Sequence, residues 1–206
     1  MEYFIDETTL AYPLARWDIK RLNPNMSLPK PSIAPAGYAL VHRTPQPGFD
    51  RITQTVREGD PVLDGNTWVQ TWVVESLTPE QVEANIETAK ASLIDAATNK
   101  RWEVETGGMT LPGDVHVATG TEDQNRITSV IANAERAGVA TVDFKAASGW
   151  VTLTLAELKG IADAIALHVQ ACFSAERAHH EAIDKLKTPE QINDYDVNSG
   201  WPNQSE

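Results

Sequence analysis

Between Thr154 and Lys187 the chain sets apolar positions in steps of four and three. Leu158, Ala162, Ile165, Val169, Cys172, Glu176, His179, Ile183 and Leu186 keep this spacing without a slip, which places them on one stripe of a helix. The stripe holds for about four heptads, roughly 43 Å at about 1.5 Å per residue. It is apolar at both ends and polar at Glu176 and His179, and a polar layer on a heptad seam can fix register and copy number. Thr154 and Glu157 form a capping box at its start. The stretch LTPEQVEANIETAKASLIDAATNKRW carries the same signature, with Thr78 as N-cap, Pro79 in the first turn and Gln81 as box partner. Val82, Ile86, Ala89, Leu93 and Ala96 make its stripe, and the helix should run to about Arg101. In EDQNRITSVIANAERAG, Ile127, Val130, Ile131 and Ala134 fall at helical spacing, and Gly138 sits where a C-terminal cap belongs.

Elsewhere the period is two. ITQTVREGDPVLDGNTWVQTWVVESL alternates on both sides of the turn signal Asp64-Gly65-Asn66, which predicts a hairpin over roughly 52–58 and 67–75. Trp68, Gln70, Trp72 and Val74 share one face of its second strand. Gly107-Gly108 and Pro112-Gly113 punctuate short runs with strand character. VATVDFKAASGWVTL reads as two strands, about 139–145 and 150–153, joined through Ala-Ser-Gly.

Seven of the twelve prolines lie between Pro13 and Pro47, so no long helix fits there. The segment predicts an extended arm with short β or polyproline pieces. Tyr3, Phe4, Tyr12, Trp17, Tyr38 and Phe49 make it too aromatic for a bare linker, and a strap over a partner is the expectation. The predicted class is therefore α+β: an extended Pro-rich arm over 1–50, a β-hairpin module over 51–77, a connecting helix over 78–101, and a mixed domain over 102–187 that ends in the long heptad helix. A polar tail over 188–206 follows; its TPEQ repeats that of 78–81, but four residues are too few for an internal repeat.

The net charge of -12 is uneven. Residues 1–60 balance seven acidic against seven basic side chains, and the whole deficit lies beyond them. An acidic surface repels phosphate backbones and anionic lipids, so neither nucleic acid nor membrane is expected as a partner. No apolar run approaches the roughly 20 residues of a bilayer span, and the acidic start MEYFIDETTL, without a basic region before an apolar stretch, does not predict a signal peptide. Cys172 is the single cysteine, which leaves no intrachain disulfide or cysteine-based zinc site.

The densest chemistry lies in VATGTEDQNRI, Val117 to Ile127. A phosphate cradle would need more glycines and a lysine, and a calcium loop would need acids at alternate positions. Helix initiation explains it better, with Thr121 as N-cap, Gln124 as box partner, and Glu122 and Asp123 in the first turn. His168, Cys172 and Glu176 share a helix face, but HxxxC among apolar neighbours reads as core rather than a metal site. His179 and Glu176 read as a structural layer. No nucleophile elbow, HExxH or dinucleotide fingerprint is present, so no catalytic residue, metal or cofactor is expected. A small hydrolase would have to gather His116, Asp114 and Glu122.

Two stretches carry a resemblance. NKRWEVETGGMTLPGDVHVATGTEDQNRITSVIANAERAGVATVDFKAASGWVTLTLAELKGIADAIALHVQACFSAER has a K-R-W/Y-x-x-E start, a T-x-x-x-D/N-Q/S-x-x helix start, a G-W/F-x-x-L-T hairpin and a long final helix. It resembles an uncharacterised domain family of tailed bacteriophages and prophages. VREGDPVLDGNTWVQTWVVESLTPEQ is similar to the N-terminal module of small phage tail-fibre and tail-assembly proteins, and together the two cover about 45–187. The resemblance implies a non-enzymatic tail protein, made in the host cytoplasm and resident in the virion tail. Its partners would be other tail, baseplate or fibre proteins and further copies of itself. An assembly chaperone that leaves before the virion matures is the alternative. Partner or oligomer contacts are expected at Tyr12, Trp17, Tyr38, Phe49, Trp68 and Trp72, and along the seam at Leu158, Ile165, Val169, Glu176, His179, Ile183 and Leu186.

Overall fold

The computed structural model describes residues 2–30, 33–111, 115–146 and 149–202. It is a mixed α+β chain in two compact units, Met1–Asn85 and Ile86–Glu206. Among the described residues no helix is long and apolar enough to cross a membrane.

The first unit is built on the strand order β1-β2-β4-β3, from β1 (Phe4–Asp6), β2 (Tyr38–His42), β3 (Gln54–Asp64) and β4 (Thr67–Ser76), with α1 (Arg16–Leu22) between β1 and β2. The predicted hairpin is present, and its first strand runs six residues further than 52–58, to Asp64. Its register shifts between Gly59 and Val62. A Cβ at Gly59 would lie 2.7 Å from Thr71 Oγ1, and that hydroxyl donates to the Asp60 carbonyl at 2.7 Å. The glycine therefore makes room for the bond that holds the bulge.

The proline-rich segment carries the short β pieces expected of it, β1 and β2. Among the described residues it holds no helix longer than seven residues, as its prolines require, and its strands join the sheet of the first unit. β1 pairs antiparallel with β2, and β2 runs parallel to β4, with Val41 opposite Trp68. Phe4, Ile19 and Tyr38 are buried together, with Leu14, Met26, Leu28, Ala34 and Leu40 packed around them. Side chains take the place of backbone pairing in the loops. Arg16 donates to the carbonyls of Ile33 and Pro29 and stacks over Phe4; Lys20 donates to the Met26 carbonyl.

The second unit contains most of α2 (Pro79–Thr106), then β5 (Met109–Leu111), β6 (Val115–Val117), α3 (Thr121–Ala137), β7 (Thr141–Ala146), β8 (Gly149–Thr154), α4 (Leu155–Ile183) and α5 (Pro189–Asn193). β5-β6 and β7-β8 are separate two-stranded ribbons. Two of the three expected capping boxes form: Gln81 N–H donates to Thr78 Oγ1 while Thr78 N–H donates to Gln81, and Thr154 and Glu157 do the same for α4. α2 runs five residues past the expected Arg101. Gly138 closes α3 at φ +67, a left-handed C-cap that favours glycine.

The start of α3 needs a correction. Gly120 is the N-cap and Thr121 the first helical residue. The box is not made; Gln124 Nε2 reaches back to the Thr119 carbonyl. A Cβ at position 120 would meet the Asp123 carboxylate at 3.2 Å. Glu122 and Asp123 do occupy the first turn, where the helix dipole favours them. The Pro112-Gly113 turn and the Ala147-Ser148 part of the last hairpin's loop lie outside the described residues.

Candidate functional site

On α4 the heptad stripe is covered from within the chain. Leu158, Ile165, Cys172 and His179, seven apart, are all buried, as is Ile183. Val169 and Glu176 are half-buried on the other line of the stripe. At the α4 N-terminal end, Leu158 and Ile165 pack with Ile127 of α3, and Val142, Phe144 and Leu153 of the last ribbon complete that core. Leu186 falls beyond the helix end.

Midway the cover becomes polar, and α2 supplies it. Arg101 donates from Nη1 to the Glu105 carboxylate and from Nε to Glu176 at 3.1 Å. All three side chains are at most 14% exposed, so each charge stands against a partner rather than water. The Arg101 guanidinium also lies 4.7 Å from the Phe173 ring centroid, a cation–π contact. One turn on, His168 Nε2 sits 3.2 Å from the Val104 carbonyl and 3.8 Å from Cys172 Sγ. Burial, with the Glu105 carboxylate second, pushes the Cys172 thiol up to about 11. That is the opposite of what a nucleophile or thiolate ligand needs. Toward the chain start of α2, Lys90 donates to the Asp184 carbonyl at 3.2 Å.

At the far end the tail returns. His179 Nε2 donates to the Ser199 carbonyl at 3.0 Å, and Nδ1 lies 2.7 Å from the Tyr195 hydroxyl. Trp201 stacks on the imidazole at 4.9 Å between centroids and is itself buried. The expected polar tail is therefore a clasp: α5 opens with a Thr188–Gln191 capping box and buries Ile192. Sequence reasoning missed Arg101 and Glu105 on α2 as well as Tyr195 and Trp201, and for the last two the signal was two aromatic residues in a mostly polar stretch.

Of the expected contacts in the first unit, Tyr38 is core, and Trp72 donates its indole N–H to Thr44. Tyr12 donates to Glu58, while Phe49 and Trp68 are half-buried. Trp17 alone among them is largely exposed, at 63%, with Arg21 over its ring.

The candidate hydrolase residues are not brought together. His116 lines a shallow groove of about 370 Å³ with Gly107, Gly108, Met109, Thr110, Val117 and Ala118, and its Nδ1 lies 2.9 Å from Thr110 Oγ1. Glu122 is 94% exposed, with Arg126 beside it, and Asp114 lies outside the described residues. Among the described residues no three His, Cys, Asp or Glu side chains converge on a metal position.

No curated protein and no solved structure matches the chain. A family model described as a domain of unknown function, DUF4376, matches residues 88–197. That range begins two residues into the second unit, takes in the Arg101 seam, and ends inside the clasp at Val197. It spans more than half of the chain, which therefore belongs to the DUF4376 family.

Proposed function

We propose that this chain is a non-enzymatic bacteriophage tail protein, a structural tail, baseplate or fibre-associated component that works through protein–protein contacts. The phage assignment rests on the sequence resemblance over about 45–187. The observation that supports a contact role is large apolar surface left outside both cores. Trp17 and Leu22 are 63% and 59% exposed in the first unit, and Trp150 and Leu167 are 74% and 72% exposed in the second. Tryptophan beside arginine is the composition of interface anchors, and Trp17 with Arg21 has that pairing.

The aromatic residues first expected as a strap over a partner now favour a different mode. Most of them hold the first unit together, and Trp17 on α1 is left as its outward anchor. The second reading is an assembly chaperone, which would use the same surfaces and then depart. Mass spectrometry of purified virions separates the two. Stoichiometric presence supports the structural role, and absence leaves the chaperone.

A further inference from the structure

The buried line of α4 has an outward counterpart. Asp163, Leu167, Gln170, Ser174, Arg177 and Glu181 follow one another in steps of four and three, and every one is exposed. Between Asp163 and Arg177 the exposed positions are Ala166, Leu167, Gln170, Ala171, Phe173 and Ser174, with no charge among them. Solvent-facing helix positions are ordinarily charged or polar, and 22% of this chain is charged. Leu167 at 72% and Phe173 at 47% exposure are the large apolar groups on this face.

We propose that this face of α4 is a self-association surface, on which a second copy of the chain lays its own α4 antiparallel about a two-fold axis near Gln170. The order of residues selects both the partner and the direction. In an antiparallel pair centred on Gln170, positions equally far before and after it meet across the axis. Leu167 and Phe173 lie three residues to either side, about 60° off the Gln170 line in opposite senses, so the two exposed apolar groups flank the axis at the same height. Asp163 and Arg177 lie seven to either side, and Lys159 and Glu181 eleven. Both are pairs of opposite charge, and two-fold symmetry makes each pair twice. A parallel in-register pair would set Asp163 on Asp163 and Arg177 on Arg177, which costs energy. Lys159 and Arg177 already hold Glu135 and Glu181 within the chain, at 2.5 and 2.8 Å, so the second copy joins existing surface networks.

Charge also argues for a second copy at this particular place. Two chains of net charge -12 repel each other, so their contact belongs where each surface is uncharged. From Asp163 to Arg177 the helix spans about 21 Å. Trp102, 53% exposed and next to the Arg101 that stacks on Phe173, widens the patch. A contact of this length lies at the low end of stable interfaces, about 1,200 Å² in total, so the dimer is weak and concentration-dependent. None of this depends on the tail-protein reading.

Sedimentation velocity of the full chain over a concentration series tests it. The expected result is a monomer–dimer equilibrium that Leu167→Glu weakens by about tenfold or more. Thermal melts by circular dichroism should be unchanged, because Leu167 is outside the core. Asp163→Arg alone and Arg177→Asp alone should each weaken the dimer, and the double exchange should restore it to within a few-fold of the original. A chain that stays monomeric throughout, a dimer indifferent to Leu167→Glu, or a double exchange that fails to rescue would each overturn the proposal.

Discussion

Arg101 is where the α2–α4 seam depends most on one side chain. Its guanidinium is held by the buried Glu105 carboxylate, the half-buried Glu176 carboxylate and the face of Phe173. Such a cluster is not necessarily more stable than an apolar one of the same shape. Removing only the cation, however, leaves two carboxylates in a site built to exclude water. Arg101→Met should therefore cost about 3–5 kcal/mol in urea unfolding. Arg101→Lys should fall between the variant and the original, because a single ammonium cannot reproduce the fork. Cys172, one turn of α4 before Glu176, offers a second test. Burial holds its thiol up at about 11, against an ordinary value of 9. A maleimide at neutral pH should label it slowly in the native protein and rapidly after denaturation. The raised value fixes the sign of the pH effect: the stabilisation is complete below about 9 and is lost as pH rises through 11. Cys172→Ser should flatten the fall of stability with pH across that window.

Among the elements, the helix starts carry the clearest local chemistry. Thr154→Ala removes the acceptor of the Glu157 N–H and should lower stability by about 1 kcal/mol. Hydrogen bonds from the Thr154 backbone N–H first, and from its hydroxyl second, hold the Glu157 carboxyl below its ordinary value. A depressed carboxyl stabilises the fold above about pH 4.5 and loses that contribution as pH falls through its folded value. Glu157→Gln should therefore flatten the acid side of a stability–pH curve. These boxes were legible in the sequence because capping is local: the two TPEQ stretches, 110 residues apart, each open a helix by the same pair of bonds. The seam on α4 was legible for the same reason, as a spacing. What covers it was not, because Arg101 and Trp201 reach it from distant parts of the chain. The first-unit sheet was hidden in the same way. Phe4 and Tyr38 look like ornaments on a proline-rich arm until β1 pairs with β2 and Arg16 binds the loop carbonyls. The α3 start misled because Thr119, not Thr121, is the engaged threonine: it accepts from Gly108 N–H and donates to the Glu105 carbonyl.

For the whole molecule, the chain ends matter as much as the helices. The family match stops at Val197, yet the clasp closes on Ser199 and Trp201. Trp201→Ala removes a buried indole from the His179 ring and should cost about 3 kcal/mol in thermal or denaturant unfolding. An unchanged melt would mean that the tail does not hold α4. The two units divide the work in a way consistent with a contact protein. The second carries the buried seam and an uncharged outer helix face, and the first presents Trp17 and Leu22 beside basic side chains on α1. The central claim is that these surfaces serve an assembled phage tail, and quantitative mass spectrometry of purified virions tests it most directly. Peptides from both units at a fixed ratio to the major tail proteins are the predicted result. A chain abundant in the infected-cell lysate but missing from the particles would contradict it.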